Sequence, residues 1–399
     1  MCQLSVQEKD KQYIAQTYLR RPVVISEGQG AQLKDENGKQ YIDFSSGIGA
    51  NSLGFCDTVW ANAVSAQAHT VQHTSNIFYS VPQANLAQAL CEQTHYDKVF
   101  FCNSGAEANE CAIKLARKHG MEKFGPQRNQ ILTLQNSFHG RTVTTLSATG
   151  QDVYHQHFFP FTDGFSHIEA NNISELYEKL NDNVCAFMIE LIQGEGGVVP
   201  LNKSFVQAAE KLCKERGILL IVDEVQTGIG RTGTFLCSEQ FGIRPDLITL
   251  AKGLGGGLPI GAVLMDKEIS DVLGIGHHAS TFGGNPVVCA GALEIVKRIS
   301  SSKFLFDVQC KGTYLQNRLK SLPGVTSISG MGLMIGITLD ERLNASDILQ
   351  ACIDAGLLLL TAKHKLRLLP PLNVSVQELD RGLDVLEYVL RQKMPECGG

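Results

Sequence analysis

Three short runs decide how this chain is read: VCAFMIE at 184–190, ILLIVD at 218–223 and DLITLAK at 246–252. Each is largely apolar, as expected of a strand buried on both faces. Between the first two, Phe205, Ala208, Ala209, Leu212 and Cys213 recur at i, i+3, i+4, i+7 and i+8. That spacing marks one face of a helix, and Gly217 stops it. Short apolar strands alternating with amphipathic helices predict βαβ units. They assemble into an α/β fold: a large, mainly parallel-sheet domain with helices on both faces. Upstream, Lys98–Cys102 (KVFFC) leads into a helix over Ala106–His119, and Gln130–Gln135 follows as a further strand.

Outward from this centre the pattern loosens. Residues 20–50 read as a small β-meander, with Gly38 and Gly47 marking turns around Tyr41–Phe44. Pro286 to about Ser300 reads as a long helix leaving the sheet, and residues 300–399 as a smaller α+β unit. That unit has apolar strands near Met334–Leu339 and Leu357–Leu360 and a final helix near Gln377–Arg391. The expected organisation is an N-terminal segment (1–50) joining a small domain, a large domain (51–290) and a C-terminal small domain (291–399).

The 399 residues are 43% hydrophobic and 19% charged, which suits a globular chain and not a disordered or fibrous one. Lys plus Arg number 35 against 40 Asp plus Glu, so neither nucleic acid nor an anionic membrane is an expected partner. The polar N-terminus has no apolar run followed by a small-residue cleavage site, and no stretch is long and apolar enough to span a bilayer. The twelve cysteines, Cys2 and Cys397 among them, form no C-x-x-C pair, and several of the others lie in apolar runs. Buried reduced thiols in a cytoplasmic protein are expected.

In an open parallel sheet, ligands bind beyond the carboxyl ends of the strands. One predicted strand ends in Asp223 and another in Lys252. A third runs into Asn103-Ser104-Gly105-Ala106 and a helix, and a fourth into Ser137-Phe138-His139-Gly140-Arg141. Ser104, Gly105 and Ala106 suit a phosphate at a helix N-terminus, although Ser is equally an ordinary N-cap. Asp223 suits a counter-charge for a protonated ring nitrogen, or a structural ion pair. Lys252 precedes a glycine-rich turn and suits a Schiff-base amine, or a lysine that reaches solvent. Phe138 suits stacking on a ring or a place in the core. Arg141 suits a carboxylate clamp or a surface ion pair. Residues 253–257 (GLGGG) match neither dinucleotide nor Walker spacing, and the histidines, His139 among them, show no zinc-ligand spacing. Together, the phosphate cup, acid, ring face, amine and guanidinium match the needs of pyridoxal phosphate with an amino-acid substrate.

The motifs NSGAEANECAIKLARK (103–118), SFHGRT (137–142), QGEGGV (193–198), DEVQTGIGRTG (223–233), LAKGLGGGLPIGA (250–262), STFGGNP (280–286) and LRLLPPL (366–372) span most of the chain. In their identity and order the sequence resembles the class III, fold-type I, pyridoxal phosphate-dependent aminotransferases, and within them the branch acting on acetylornithine. The resemblance implies that Lys252 condenses with the cofactor aldehyde, Asp223 pairs with the pyridine nitrogen and Gln226 bonds the ring 3-hydroxyl. It implies that Ser104, Gly105 and Ala106 hold the phosphate, helped by Thr281 of a neighbouring subunit, and that Phe138 stacks on the ring. Arg141 takes the substrate α-carboxylate, Ser280 lies near substrate, and Glu195 with Arg367 forms a switch pair that frees Arg367 for glutamate. A homodimer with shared sites, 2-oxoglutarate as acceptor and a place in arginine biosynthesis are likewise implied. Ornithine, succinylornithine and 4-aminobutyrate aminotransferases share this shell, and a pyridoxal phosphate aminomutase is the rival of another class. The chain departs from the family at Ser329, at Leu191 and over Gly54–Thr58.

Overall fold

The run at 218–223 supplies the strand Leu219–Asp223, all of it buried, at the middle of a seven-stranded sheet. The computed structural model describes residues 4–394. Across the sheet the order is Lys98–Cys102, Gly261–Met265, Leu247–Leu250, Leu219–Asp223, Val184–Ile189, Gln130–Leu134 and Phe165–Ile168. Neighbours run parallel except at Gly261–Met265, which is antiparallel to the strand on either side.

The two faces follow from the period-2 alternation of a strand. Ala186, Met188, Leu219 and Ile221 pack with Cys111, Ala112 and Leu115 of the helix Gly105–Phe124. Phe187, Ile189, Leu220 and Val222 pack with Phe205, Ala209 and Leu212 of the helix Lys203–Arg216. The first helix is capped by Ser104, whose hydroxyl accepts from the Glu107 N–H at 3.1 Å. It begins one residue earlier than its apolar spacing suggests and runs on to Phe124. The second ends at Gly217 in the left-handed conformation.

Two four-stranded sheets flank this layer. Ile25–Gln29, Gln32–Asp35 and Gln40–Asp43 form the expected meander, and Leu357–Leu358 adds to it in parallel, opposite Ile42 and Asp43. Val325–Met331, Met334–Leu339, Lys365–Leu368 and Leu360–Ala362 form an antiparallel sheet. The apolar run at 357–360 is therefore not one strand. It breaks at buried Leu359 and gives one half to each sheet. The final helix, Val376–Lys393, starts from a capping box between Ser375 and Glu378. The strand Gly261–Met265 has no counterpart in the sequence reading, because it follows directly on the glycine-rich turn. The ten described cysteines are free thiols, mostly buried; Cys2 and Cys397 lie outside the described residues. Among the described residues, no helix is long and apolar enough to cross a membrane.

Beside the central strand, the buried carboxyl of Glu224 accepts from the N–H groups of Cys237 at 2.6 Å and Ser238 at 2.8 Å. Burial outweighs these bonds and pushes its pKa up to about 7 from an ordinary 4.5. The folded state thus holds this proton more tightly than the unfolded chain. Stability linked to Glu224 is full below pH 4.5, declines as pH rises through about 7 and is flat above. Glu224→Gln removes that slope. Its stability is expected to rise relative to wild type between pH 5 and 8, by on the order of 3 kcal/mol at most; parallel pH profiles of stability by scanning calorimetry would refute the assignment. Phe187→Ala empties a fully buried site at the sheet centre, edge-to-face with Phe205. It should lower stability to denaturant by about 3–5 kcal/mol.

Candidate active site

A cavity of about 460 Å³ opens beyond the carboxyl ends of Lys98–Cys102, Val184–Ile189, Leu219–Asp223 and Leu247–Leu250. Ser104, Gly105, Ala106, Phe138, Arg141, Asp223, Gln226 and Lys252 all line it. Residues from four separate stretches of sequence thus meet at one edge of one sheet.

Lys252 follows the strand Leu247–Leu250 and is half-buried on the cavity wall. Its φ is +36°, a left-handed conformation uncommon for a side-chain-bearing residue and typical of functional sites. Desolvation holds its amine below the ordinary lysine range; Glu195 opposes the shift and Arg367 adds to it. Among the described residues, this amine has no hydrogen bond or ion pair.

Asp223 is held by three donors. Asn109 Nδ2 donates to its Oδ2 at 2.8 Å, His139 Nδ1 lies 2.9 Å from the same oxygen, and the Val225 N–H donates to Oδ1 at 3.0 Å. An ionised carboxylate only accepts, so the His139 hydrogen is assigned to Nδ1. His139 Nε2 and Asn109 Oδ1, both on residues of the cavity wall, are buried with no hydrogen-bond partner among the described residues. Glu190, just past the end of the neighbouring strand, accepts from the N–H groups of Phe138 at 2.8 Å and Gly194 at 3.2 Å. Burial pushes its carboxyl up to about 7; His139 opposes this and Asp223 adds to it.

The helix Gly105–Phe124 points its N-terminus at the cavity. A Cβ at residue 105 would sit 2.8 Å from the Val225 side chain, so only glycine lets the two approach. The Ser104 hydroxyl is spent as an acceptor on the cap, which leaves its hydrogen free to donate. Phe138 is half-buried, and its ring meets Tyr154 edge-to-face at 5.9 Å. Arg141 is exposed, with its guanidinium 4.1 Å from the Tyr154 ring centre and 5.5 Å from that of Phe138.

Arg367 comes from the strand Lys365–Leu368 of the antiparallel sheet and is 3% exposed. Its Nη1 lies 2.5 Å from Glu195 Oε1 and donates to Gln226 Oε1 at 3.3 Å. Arginine only donates, so the amide nitrogen of Gln226 is left to face elsewhere. A Cβ on residue 194 would lie 2.6 Å from that same Gln226 oxygen, so a larger residue there would push the Gln226 amide aside. Ser280 and Thr281 are not on the cavity wall of their own chain. The Ser280 hydroxyl accepts from Asn103 Nδ2 at 3.1 Å and the Gly283 N–H at 3.0 Å, and Thr281 is exposed.

Sequence reasoning passed over Glu190, Asn109, Val225 and the place of His139. Glu190 carried a usable signal, since it terminates an apolar run as Asp223 does. Asn109 carried none; an asparagine inside a helix gains meaning only from what the fold sets opposite it.

Comparison with known proteins agrees with this geometry. The profile of the class III aminotransferases matches residues 13–390. An acetylornithine aminotransferase of Haemophilus ducreyi is 51% identical over 97% of this chain and 98% of its own length. The structure of an N-acetylornithine aminotransferase from Stenotrophomonas maltophilia superposes with a TM-score of 0.82 at 35% identity, over 94% of this chain and 97% of that one. An ornithine aminotransferase of Toxoplasma gondii, described with pyridoxal phosphate partly occupying its active site, superposes with a TM-score of 0.91 at 33% identity, over 96% and 94% of the two chains. A fold and a sequence that both match over nearly full length lead to one conclusion: the chain belongs to the class III aminotransferases.

Proposed function

We propose that the protein transfers the δ-amino group of N2-acetylornithine to 2-oxoglutarate with pyridoxal phosphate as cofactor, giving N-acetylglutamate 5-semialdehyde and glutamate, a step of arginine biosynthesis in the cytoplasm. One observation carries the reading. An unpartnered amine, a pinned carboxylate and a helix N-terminus share one cavity in a chain half-identical to an acetylornithine aminotransferase.

The residues present fit the cofactor. Gly105 and Ala106 head the helix where a phosphate is favoured, with the Ser104 hydroxyl hydrogen beside them. Asp223 is an acceptor for a pyridinium N–H, and among the described residues the Lys252 amine has no competing partner. Phe138 and Val225 offer apolar walls for the ring, and the Gln226 amide N–H suits its 3-oxygen. Bound there, pyridoxal phosphate supplies an aldehyde for amines and a protonated ring that draws electron density from the carbon losing a proton.

The chain's own groups do the rest. Lys252 would hold the cofactor through its amine, and its Nζ, when free, would take the proton from the donor's δ-carbon. A lowered pKa keeps more of that amine neutral and basic near pH 7. Asp223, oriented by His139 and Asn109, holds the proton on the ring nitrogen. Arg141 binds the donor's α-carboxylate. Glu195 neutralises Arg367 while the donor is bound; 2-oxoglutarate, with a carboxylate at each end, then uses both arginines.

Thr281 and Ser280 enter this scheme from a second copy. Ile77, Phe78, Tyr79 and Phe282 are exposed apolar side chains next to the 280–284 loop, which Asn76 ties down through the carbonyls of Ser280 and Gly283. Such a patch suits a two-fold interface that brings Thr281 to the neighbouring cavity.

Lys252→Ala should retain the fold but lose the absorbance of the lysine-linked cofactor and all measurable turnover; normal turnover would end the assignment. In a steady-state comparison of donors, acetylornithine should exceed succinylornithine, ornithine and 4-aminobutyrate in kcat/KM, and activity should require 2-oxoglutarate. An aminomutase would need no acceptor. Mixing Lys252→Ala with Thr281→Asp, each inactive alone, should restore about a quarter of wild-type activity through hybrids that keep one intact site. No recovery would refute shared sites.

A further inference from the structure

Arg141 stands apart from the acids of the site and from Arg367. Asp223 and Arg367 are each fixed by directional bonds. Among the described residues, Arg141 has no hydrogen bond and no ion pair; its recorded contacts are with two aromatic rings. Thr142, the next residue, bonds the Glu110 carboxylate at 2.5 Å, so that acid is engaged by a hydroxyl and not by Arg141. The guanidinium lies 4.1 Å from the ring centre of Tyr154, inside the range of a cation–π contact, and 5.5 Å from that of Phe138.

Tyr154 is itself well anchored. It closes the single turn Asp152–Tyr154, whose N–H at 154 bonds the Gln151 carbonyl at 3.0 Å. Buried Gln151 donates to the Ser137 carbonyl at 3.0 Å, and the Ser137 hydroxyl accepts from the Gly150 N–H at 3.0 Å. His155 lies 2.8 Å from the Leu146 carbonyl. The turn is therefore bolted to the loop that carries Phe138 and Arg141 and to the helix Val143–Ala148 behind it. The Tyr154 ring meets Phe138 edge-to-face. A ring face holds a guanidinium without using any of its N–H groups, so the hydrogen-bonding edge stays free for a carboxylate.

We propose that Tyr154 is a positioning and specificity residue: its ring face orients Arg141 for the substrate carboxylate. The inference rests on the reading of Arg141 as the carboxylate clamp. It predicts a role for the ring and none for the hydroxyl, because a cation–π contact uses only the face.

The test compares holoenzymes of wild type, Tyr154→Phe, Tyr154→Leu and Arg141→Lys. Donors are acetylornithine and N-acetyl-1,4-diaminobutane, which lacks the carboxylate, with 2-oxoglutarate as acceptor. Tyr154→Phe should match wild type. Tyr154→Leu should raise KM for acetylornithine and for 2-oxoglutarate by about five-fold, with cofactor absorbance unchanged. Its kcat/KM for the carboxylate-free amine should stay at the wild-type value. Unchanged KM values in Tyr154→Leu, an equal loss with the carboxylate-free amine, or a Tyr154→Phe defect as large as that of Tyr154→Leu would each overturn the proposal. If Arg141→Lys also leaves KM for acetylornithine unchanged, the clamp reading itself fails. If Arg141→Lys raises KM while Tyr154→Leu does not, only the role of Tyr154 falls.

Discussion

The register of the parallel strands is the constraint from which the site follows. Ile221 lies opposite Met188 on one side and Leu247 on the other. Two residues further along, Glu190, Asp223 and Thr249 therefore leave the sheet as one row, with Lys252 three positions beyond. No side chain has to search for its neighbours; the hydrogen-bond ladder sets them at one level. A slip of one residue would turn Asp223 to the other face and bring an apolar side chain to the edge in its place. Both faces are covered by apolar helices, so the row sits where water is scarce and charge interactions are strong.

That dryness explains how the acids differ. Glu190 takes two backbone N–H bonds and is still pushed up to about 7, because burial dominates. Asp223 collects a ring N–H, an amide and a backbone N–H, a directional set that fixes its orientation. One carboxyl near neutrality beside one firmly oriented carboxylate is a way to keep a single acid in charge of the ring nitrogen. The Glu195–Arg367 pair is buried on one side and offers a ready partner when a dicarboxylate arrives.

Much of this was legible in the sequence. Buried parallel strands are short, apolar and bounded by turns, so Val184–Ile189 and Leu219–Asp223 stand where the sequence places them. Asp223 and Lys252 are legible because each ends a largely apolar run, where a parallel sheet places its ligands. Gly261–Met265 was not legible, because a strand that pairs antiparallel in a parallel sheet has no signature of its own and here follows a glycine-rich turn. The place of Arg367 depends on packing of the antiparallel sheet against the central layer, which no local pattern encodes. His139 and Asn109 gain their roles only through distance to Asp223.

The pairing of Leu357–Leu358 with Gln40–Asp43 joins segments separated by roughly 300 residues of chain. During synthesis the meander leaves the ribosome early and waits, with one edge open, for a partner that emerges near the end of translation. Until then Ile42 and Phe44 lack their final cover. The nascent chain is thus committed to a long interval in which that edge is a template for wrong pairing, closed only when the last tenth of the polypeptide arrives.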